Sequence, residues 1–273
     1  MRQFLFVALA FASTPAFAQE AEPDAGGDSV TIGVGPATIP RYEGSDDNTI
    51  IPAGAIRGVI SGIEFSTVGT ALYTDLIPKP DGVGTDIILG PVVHVGLNRT
   101  SRKRIRDPQI IALGKLDTAI EVGADFGIKR TGVFTSDYDT LSLDVAVLHD
   151  VSGTHDSLIV TPTLAYATPL SKTVYVGISA SANYVGRGYG RTYFGVTPAQ
   201  SLASGLPAYN PGKGWKDYNF GALLNISLSG DLRRGLSLFA AGNYQRLINE
   251  FGRSPVVRDK GQWFGGVGLA YTF

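Results

Sequence analysis

The stretch that most restricts what this chain can fold into is its last, residues 262–273 (QWFGGVGLAYTF). Every second residue counted back from the end, Phe273, Tyr271, Leu269, Val267, Gly265 and Trp263, forms an apolar set with aromatics at both ends. The alternate set, Thr272, Ala270, Gly268, Gly266, Phe264 and Gln262, is small or polar apart from Phe264. A strand sends successive side chains to opposite faces, and an apolar band with an aromatic at each end suits a strand that crosses a bilayer. An edge strand of a soluble sandwich also alternates, so the rest of the chain has to decide.

The amino terminus supplies the compartment. Arg2, an apolar run from Phe4 to Ala12 and the small-x-small triplet Ala16-Phe17-Ala18 read as a secretory signal peptide over residues 1–18, cut before Gln19. No later stretch approaches the roughly 18 uninterrupted apolar residues of a transmembrane helix, so any crossing is made by strands. There is no cysteine, which excludes disulfides and thiolate metal sites, and no cofactor motif is present. With 23 Lys and Arg against 24 Asp and Glu, nucleic acid is not an expected partner. Glycine, at 35 of 273 residues, is well above ordinary usage and suits a tightly curved sheet around a narrow lumen.

Residues 19–29 are acidic and poor in large apolar side chains, and are expected to form a disordered periplasmic leader before a barrel over 30–273. Val30, Ile32 and Val34 begin the first strand, which Pro36 and Pro40 are expected to end. Stretches 50–60 and 63–76 flank the turn Ser61-Gly62, and residues 86–97 follow the turn Pro78-Lys-Pro-Asp-Gly82. Asp107-Pro108 is expected to cap a short helix through Leu113. Alternation is clean where Ile120, Val122, Ala124, Phe126 and Ile128 interleave with Glu121, Gly123, Asp125, Gly127 and Lys129. It recurs over 141–147, 158–166, 174–183, 220–229 and 236–244, with Pro162 predicting a bulge or weak point. Between 174–183 and 220–229 lies 193–214, a long proline-containing segment without a sustained period, expected outside the cell. Eleven stretches qualify as strands, whereas single-chain bacterial barrels take even numbers. Either one strand hides in residues 98–116, or residues 30–38 do not cross fully; the expectation is an all-β, antiparallel transmembrane barrel of about 12 strands, within 10 to 14.

Five stretches in order, Tyr42-Glu-Gly-Ser-Asp46, Tyr193-Phe-Gly-Val196, residues 205–210 (GLPAYN), Ser254-Pro-Val-Val257 and residues 268–273, resemble the MipA/OmpV family of outer-membrane proteins, named for a member that interacts with the lytic transglycosylase MltA. The resemblance implies a non-enzymatic barrel that scaffolds murein-remodelling enzymes beneath the outer membrane, with a lytic transglycosylase and a murein synthase as partners. It also implies links to adhesion and envelope stress. Membrane lipid and lipopolysaccharide are the other expected partners, and the terminal Tyr271 and Phe273 resemble the closing-strand signal of bacterial barrels. The family offers no catalytic motif to carry over.

Two other functions remain open at this stage. A narrow diffusion channel is one, with Glu121, Asp125 and Lys129 lining or plugging its bore. A barrel hydrolase is the other, because His149-Asp150 and His155-Asp156 bracket a short loop containing Ser152 and Thr154; a loop collects polar residues anyway, and a triad is recognised by geometry. His94 has no second metal ligand at a useful spacing and reads as a lumen or rim residue. The basic residues Arg102, Lys103, Arg104 and Arg106 read as a solvated connection ahead of a lipid-phosphate site, and Tyr42, Tyr193 and Tyr209 as structural. For a scaffold, the contacts fall on periplasmic turns 168–172 and 230–235, the latter carrying Asp231, Arg233 and Arg234. The terminal alternation generates a test: deleting Phe273 is expected to lower the yield of folded, heat-modifiable barrel in outer-membrane fractions, and an unchanged yield contradicts the assembly role.

Overall fold

In the computed structural model, which describes residues 28–78 and 82–273, twelve antiparallel strands close into one barrel. They are β1 (Ser29–Pro40), β2 (Asn48–Ile60), β3 (Ile63–Val68), β4 (Ala71–Asp75), β5 (Gly84–Gly96), β6 (Ala119–Thr131), β7 (Thr140–Asp150), β8 (Leu158–Pro169), β9 (Val174–Val185), β10 (Gly214–Ser227), β11 (Gly235–Leu247) and β12 (Gly261–Thr272). Each strand pairs with its neighbours in sequence, and β12 returns to β1 over Thr31↔Thr272 to Thr38↔Gly265. The expected signal peptide and nearly all of the expected leader lie outside the described residues.

The alternation read from the sequence is the alternation of the wall. In β12, Trp263 is 64% exposed on the outside while Phe264, one residue on, is 8% exposed inside. In β6, Ile120, Val122, Phe126 and Ile128 face out, and Glu121, Asp125 and Lys129 are buried in the lumen. The exterior is thus apolar and the interior polar, as a bilayer on one side and a protein-lined bore on the other require. Among the described residues no helix is long and apolar enough to cross a membrane. The crossing belongs to the strands.

The structure corrects the sequence reading in three places and, at Pro162, decides between the two outcomes expected there. The twelfth strand hides neither in 98–116 nor in a failed first crossing; residues 63–76 divide into β3 and β4 around Gly69-Thr70, with Gly69 at φ 62°. Pro36 does not end β1. It sits opposite Pro52, and the ladder to β12 omits Gly35 and Pro36 before resuming in the same register. Pro162 acts similarly: β8 pairs with β9 at Val160 and again at Thr163 with no register change, so the weak point is a missing rung and not a bulge. Finally, the aperiodic stretch 193–214 contains the end of one helix, α2 (Arg187–Phe194), and all of another, α3 (Pro198–Ser204). The expected short helix is present as α1 (Pro108–Ala112), capped by Asp107 through the N–H groups of Gln109 and Ile110.

Long connections, 97–118, 186–213 and 248–260, gather at one end together with the shorter 41–47 and 151–157; the connections 61–62, 132–139, 170–173 and 228–234, all short, lie with Ser29 and Thr272 at the other. The short-turn end is the periplasmic one in barrels of this kind. One of its turns, 132–139, is organised by Asp139, whose carboxylate accepts the N–H groups of Val133 (2.6 Å), Phe134 (2.7 Å) and Thr135 (2.7 Å) and the Tyr166 hydroxyl (2.8 Å). Burial alone raises the Asp139 carboxyl, but these donors outweigh it and hold the group well below its ordinary 3.8. A depressed folded pKa contributes stability above the unfolded value and loses it as pH falls through the folded one. Asp139→Asn is therefore expected to cost about 1–2 kcal/mol at neutral pH, measured as a urea midpoint of the refolded barrel. The gap between wild type and variant should be full above pH 3.8 and shrink below it.

Candidate functional site

The long-loop end does not lead into an open bore. Helix α2 places Tyr189, Tyr193 and Phe194 on one face, and all three are buried against inward residues Val92, Leu148, Val185 and Leu247 of the wall. Phe194 meets Phe251 of the 248–260 connection edge to face at 5.5 Å, and the Ser254 hydroxyl donates to Phe194 O at 2.6 Å. Two glycines allow so close an approach. A Cβ on Gly188 would lie 2.0 Å from His155 O, and one on Gly190 2.7 Å from Gly212 O. The next helix, α3, has a reciprocal capping box between Thr197 and Gln200 and ends at Gly205, φ 74°. It is tied to α1 through Gln200 to Leu113 O (2.9 Å) and Gln109 to Ser204 O (3.0 Å), while Arg258 binds Asp107 (2.6 Å) and Gln109 (2.7 Å). Tyr42, Ile110, Val196 and Val256 form the apolar centre of this cap.

Beneath α2 the lumen is filled by a charged network. Lys216 of β10 is ion-paired with Glu43 and with Asp217 (3.0 Å), and donates to the Tyr189 hydroxyl (3.3 Å). Asp217 accepts in turn from Asn183 (2.7 Å), Asn219 (2.8 Å) and Gln245 (2.5 Å). Across the bore, Lys129 pairs with Glu64 at 3.3 Å. Buried charges persist only where partners and further hydrogen bonds replace their water, and this network does so for the helix as well as for the ions. It latches α2 in place.

The histidines divide differently from their sequence spacing. His149 points outward beside Asp156 (3.8 Å), whereas His155 is buried and binds Glu121 (2.8 Å), which also holds His94. His94 is thus a lumen residue whose partner is Glu121 of β6, and Glu121 in turn joins it to His155 of the 151–157 connection. Asp150 is occupied by Ser152 Oγ (2.6 Å) and by the N–H groups of His155 (2.6 Å) and Asp156 (3.0 Å), so it shapes the loop and orients neither imidazole. Among the described residues no group of three or more His, Asp or Glu side chains is arranged to hold a metal. Lys216 and Tyr189 carried no motif, and Glu43, although inside the Tyr42 to Asp46 stretch, was not legible as part of a site; the spacing of Tyr189, Tyr193 and Phe194 was the available signal.

At the short-turn end, Leu232 is 7% exposed and folds under the lumen against Ala167 and Tyr175. Its N–H donates to Lys172 O (3.2 Å), which joins the two turns singled out from sequence, and the Ser227 hydroxyl donates to Asp231 O (2.6 Å). Arg233 and Asp231 pair at 3.3 Å with about half of each side chain in solvent, and Arg234 is exposed. Hydrogen bonds from the Arg233 N–H and side chain lower the Asp231 carboxyl. Tyr271 and Phe273 face outward with rings 4.8 Å apart, and Phe273 N–H donates to Val30 O at 2.9 Å.

A closed β-barrel with an apolar exterior and a helix latched into its bore defines the class: an outer-membrane barrel that is occluded in this state. Over residues 32–273 the sequence matches the family model described as MltA-interacting protein MipA, and the chain belongs to that family. The MltA-interacting proteins of Escherichia coli (strain K12) and Shigella flexneri are each 36% identical to it over 83 residues, 30% of this chain and 31% of theirs. The match therefore spans less than a third of those relatives. Among solved structures, the outer membrane channel DcaP of Acinetobacter baumannii is similar at 9% identity and a TM-score of 0.41, covering 92% of this chain and 99% of its own. OprB of Pseudomonas putida is similar at 11% identity and 0.40, covering 82% and 59%.

The latch sets an electrical expectation. The wild-type barrel in a planar bilayer should give few or no stable conductance steps, and replacing residues 187–204 with a Gly/Ser linker should produce them. Equal conductance in both proteins would show that α2 does not seal the bore.

Proposed function

We propose that this barrel works without chemistry of its own, as an outer-membrane anchor whose periplasmic face holds a lytic transglycosylase and, through it, a murein synthase. Membership of a family described as MltA-interacting supports the partner class. The observation that carries the reading is the 228–234 turn, where a buried leucine and two backbone bonds fix the loop while Asp231, Arg233 and Arg234 stay at the surface. A preformed charged rim loses little order on binding and steers an oppositely charged partner. A filled bore leaves the rim and the exterior as the surfaces for contact, and it disfavours free diffusion as the main task. Tyr271 and Phe273, on the lipid side of the closing strand, serve assembly in this reading.

The test must spare Leu232. In Asp231→Asn/Arg233→Gln/Arg234→Gln, the floor contact remains while the rim charge goes. Capture of murein enzymes from envelope extract, identified by mass spectrometry, is expected to fall about tenfold at low salt and to lose its salt dependence. A His149→Ala/His155→Ala barrel should capture as the wild type does. Unchanged capture by the rim variant, or no lytic transglycosylase captured by the wild type, removes the proposal.

A further inference from the structure

The wall has a gap. Among the described residues β2 pairs with β3 only over Arg57–Ile60, and the Thr67 side chain ends the ladder by accepting Ile56 N–H (2.9 Å) and donating to Ile56 O (3.2 Å). From Asn48 to Ala55, β2 has β1 alone as a ladder partner, because the β3–β4 hairpin turns back at Gly69-Thr70. Pro52, which has no N–H to offer a second strand, lies in that stretch. Unpaired backbone at membrane depth is tolerated where it borders a cavity, and a cavity is present.

It measures about 160 Å³ and is bordered at the gap by Gly54 to Arg57 of β2 and Thr67 to Gly69 of the hairpin. Its far wall is Leu223, Phe239 and Ala270. A cavity of about 150 Å³ lined by Leu, Ile and Phe is large enough for a six-carbon apolar body. Polar groups break this lining: Thr31, Arg57 and Thr67 on the side of the gap, and Asn225 and Asn243 deeper in. Asn225 is 9% and Asn243 5% exposed, both line the cavity, and the Oδ1 of each is buried with no hydrogen-bond partner. A buried acceptor left unmatched is costly, so it selects an occupant that brings a donor.

We propose that this cavity binds one alkyl chain carrying a hydroxyl group, entering sideways from the bilayer between β2 and the β3–β4 hairpin, with the hydroxyl donating to Asn225 or Asn243. Outside the gap, Ile50, Ile56 and Leu72 are exposed to the membrane, so the compound that meets the opening is one already dissolved in hydrocarbon. The site is distinct from the periplasmic turns and does not depend on the scaffold reading.

The chain has two tryptophans, Trp215 and Trp263. Phe239→Trp in a Trp215→Phe/Trp263→Phe background therefore puts a single fluorophore on the cavity wall, and Trp215→Phe alone leaves Trp263 as a lipid-facing control. Both are reconstituted into phosphatidylcholine vesicles after folding is verified by heat-modifiable mobility, with Leu223→Trp as the reporter should Phe239→Trp fail to fold. The probes are 6-bromohexanol and 1-bromohexane, whose bromine quenches nearby tryptophan. Saturable quenching of the lumen reporter by the alcohol is expected, about threefold to tenfold tighter than by the alkane, the worth of one hydrogen bond. That preference should vanish in Asn225→Leu/Asn243→Leu. The proposal is overturned if the control is quenched while the lumen reporter is not, or if both probes act alike whatever stands at 225 and 243. It is also overturned if a cysteine placed at Thr49 cross-links two barrels efficiently, which would give the free edge to a second copy.

Discussion

A backbone amide in hydrocarbon has no water to bond, and that constraint governs the rest of this structure. It requires β12 to find β1, and the pairing of Thr31 with Thr272 is made twice over, through the ladder and through their hydroxyls at 2.8 Å. It also explains where prolines are tolerated. Pro36 and Pro162 each remove a rung without shifting the register, so the loss stays local, and Pro52 stands on the stretch of β2 that has no second neighbour.

Closure creates the second problem, which is what to put inside. The wall turns Glu64, Glu121, Asp125, Lys129, Lys216 and Asp217 inward. Burying them is acceptable because their partners are fixed by other strands of the wall, as with Lys129 and Glu64, or by the entering helix, as with Lys216 and Tyr189. The plug and the ions thus stabilise one another. The glycines at 188 and 190 let the helix backbone come close to His155 O and Gly212 O, which larger side chains would prevent.

The strands were legible because each face meets a different medium, and that difference writes a two-residue period into the sequence. The β3–β4 hairpin was not, although it left a trace: buried positions are even-numbered through Glu64, Ser66 and Val68 and odd-numbered through Ala71, Tyr73 and Asp75. A change of parity across Gly69-Thr70 is what a two-residue turn must do, and no proline or Asn-Gly pair marks that turn in the sequence. Helix α2 was hidden for another reason. Its two glycines are poor helix formers, required by packing that only the closed barrel supplies. The Lys216 network joins residues from distant parts of the chain, and no local pattern marks it. The histidine cluster misled in the opposite direction, since His149 and His155 are neighbours in sequence on opposite sides of a wall.

The Lys216 to Glu43 pair also carries information about time. Glu43 follows the first strand and Lys216 lies in the tenth, with Gln245 of the eleventh completing the group. Glu43 cannot join Lys216 and Gln245 until the two ends of the sheet have come round to one another, so the latch is not complete before the wall is shut. A folding intermediate with most of its strands formed would still have a wet, unlatched interior. Amide exchange in α2 should then be slowed last of all, making that short helix a clock for the completion of the barrel around it.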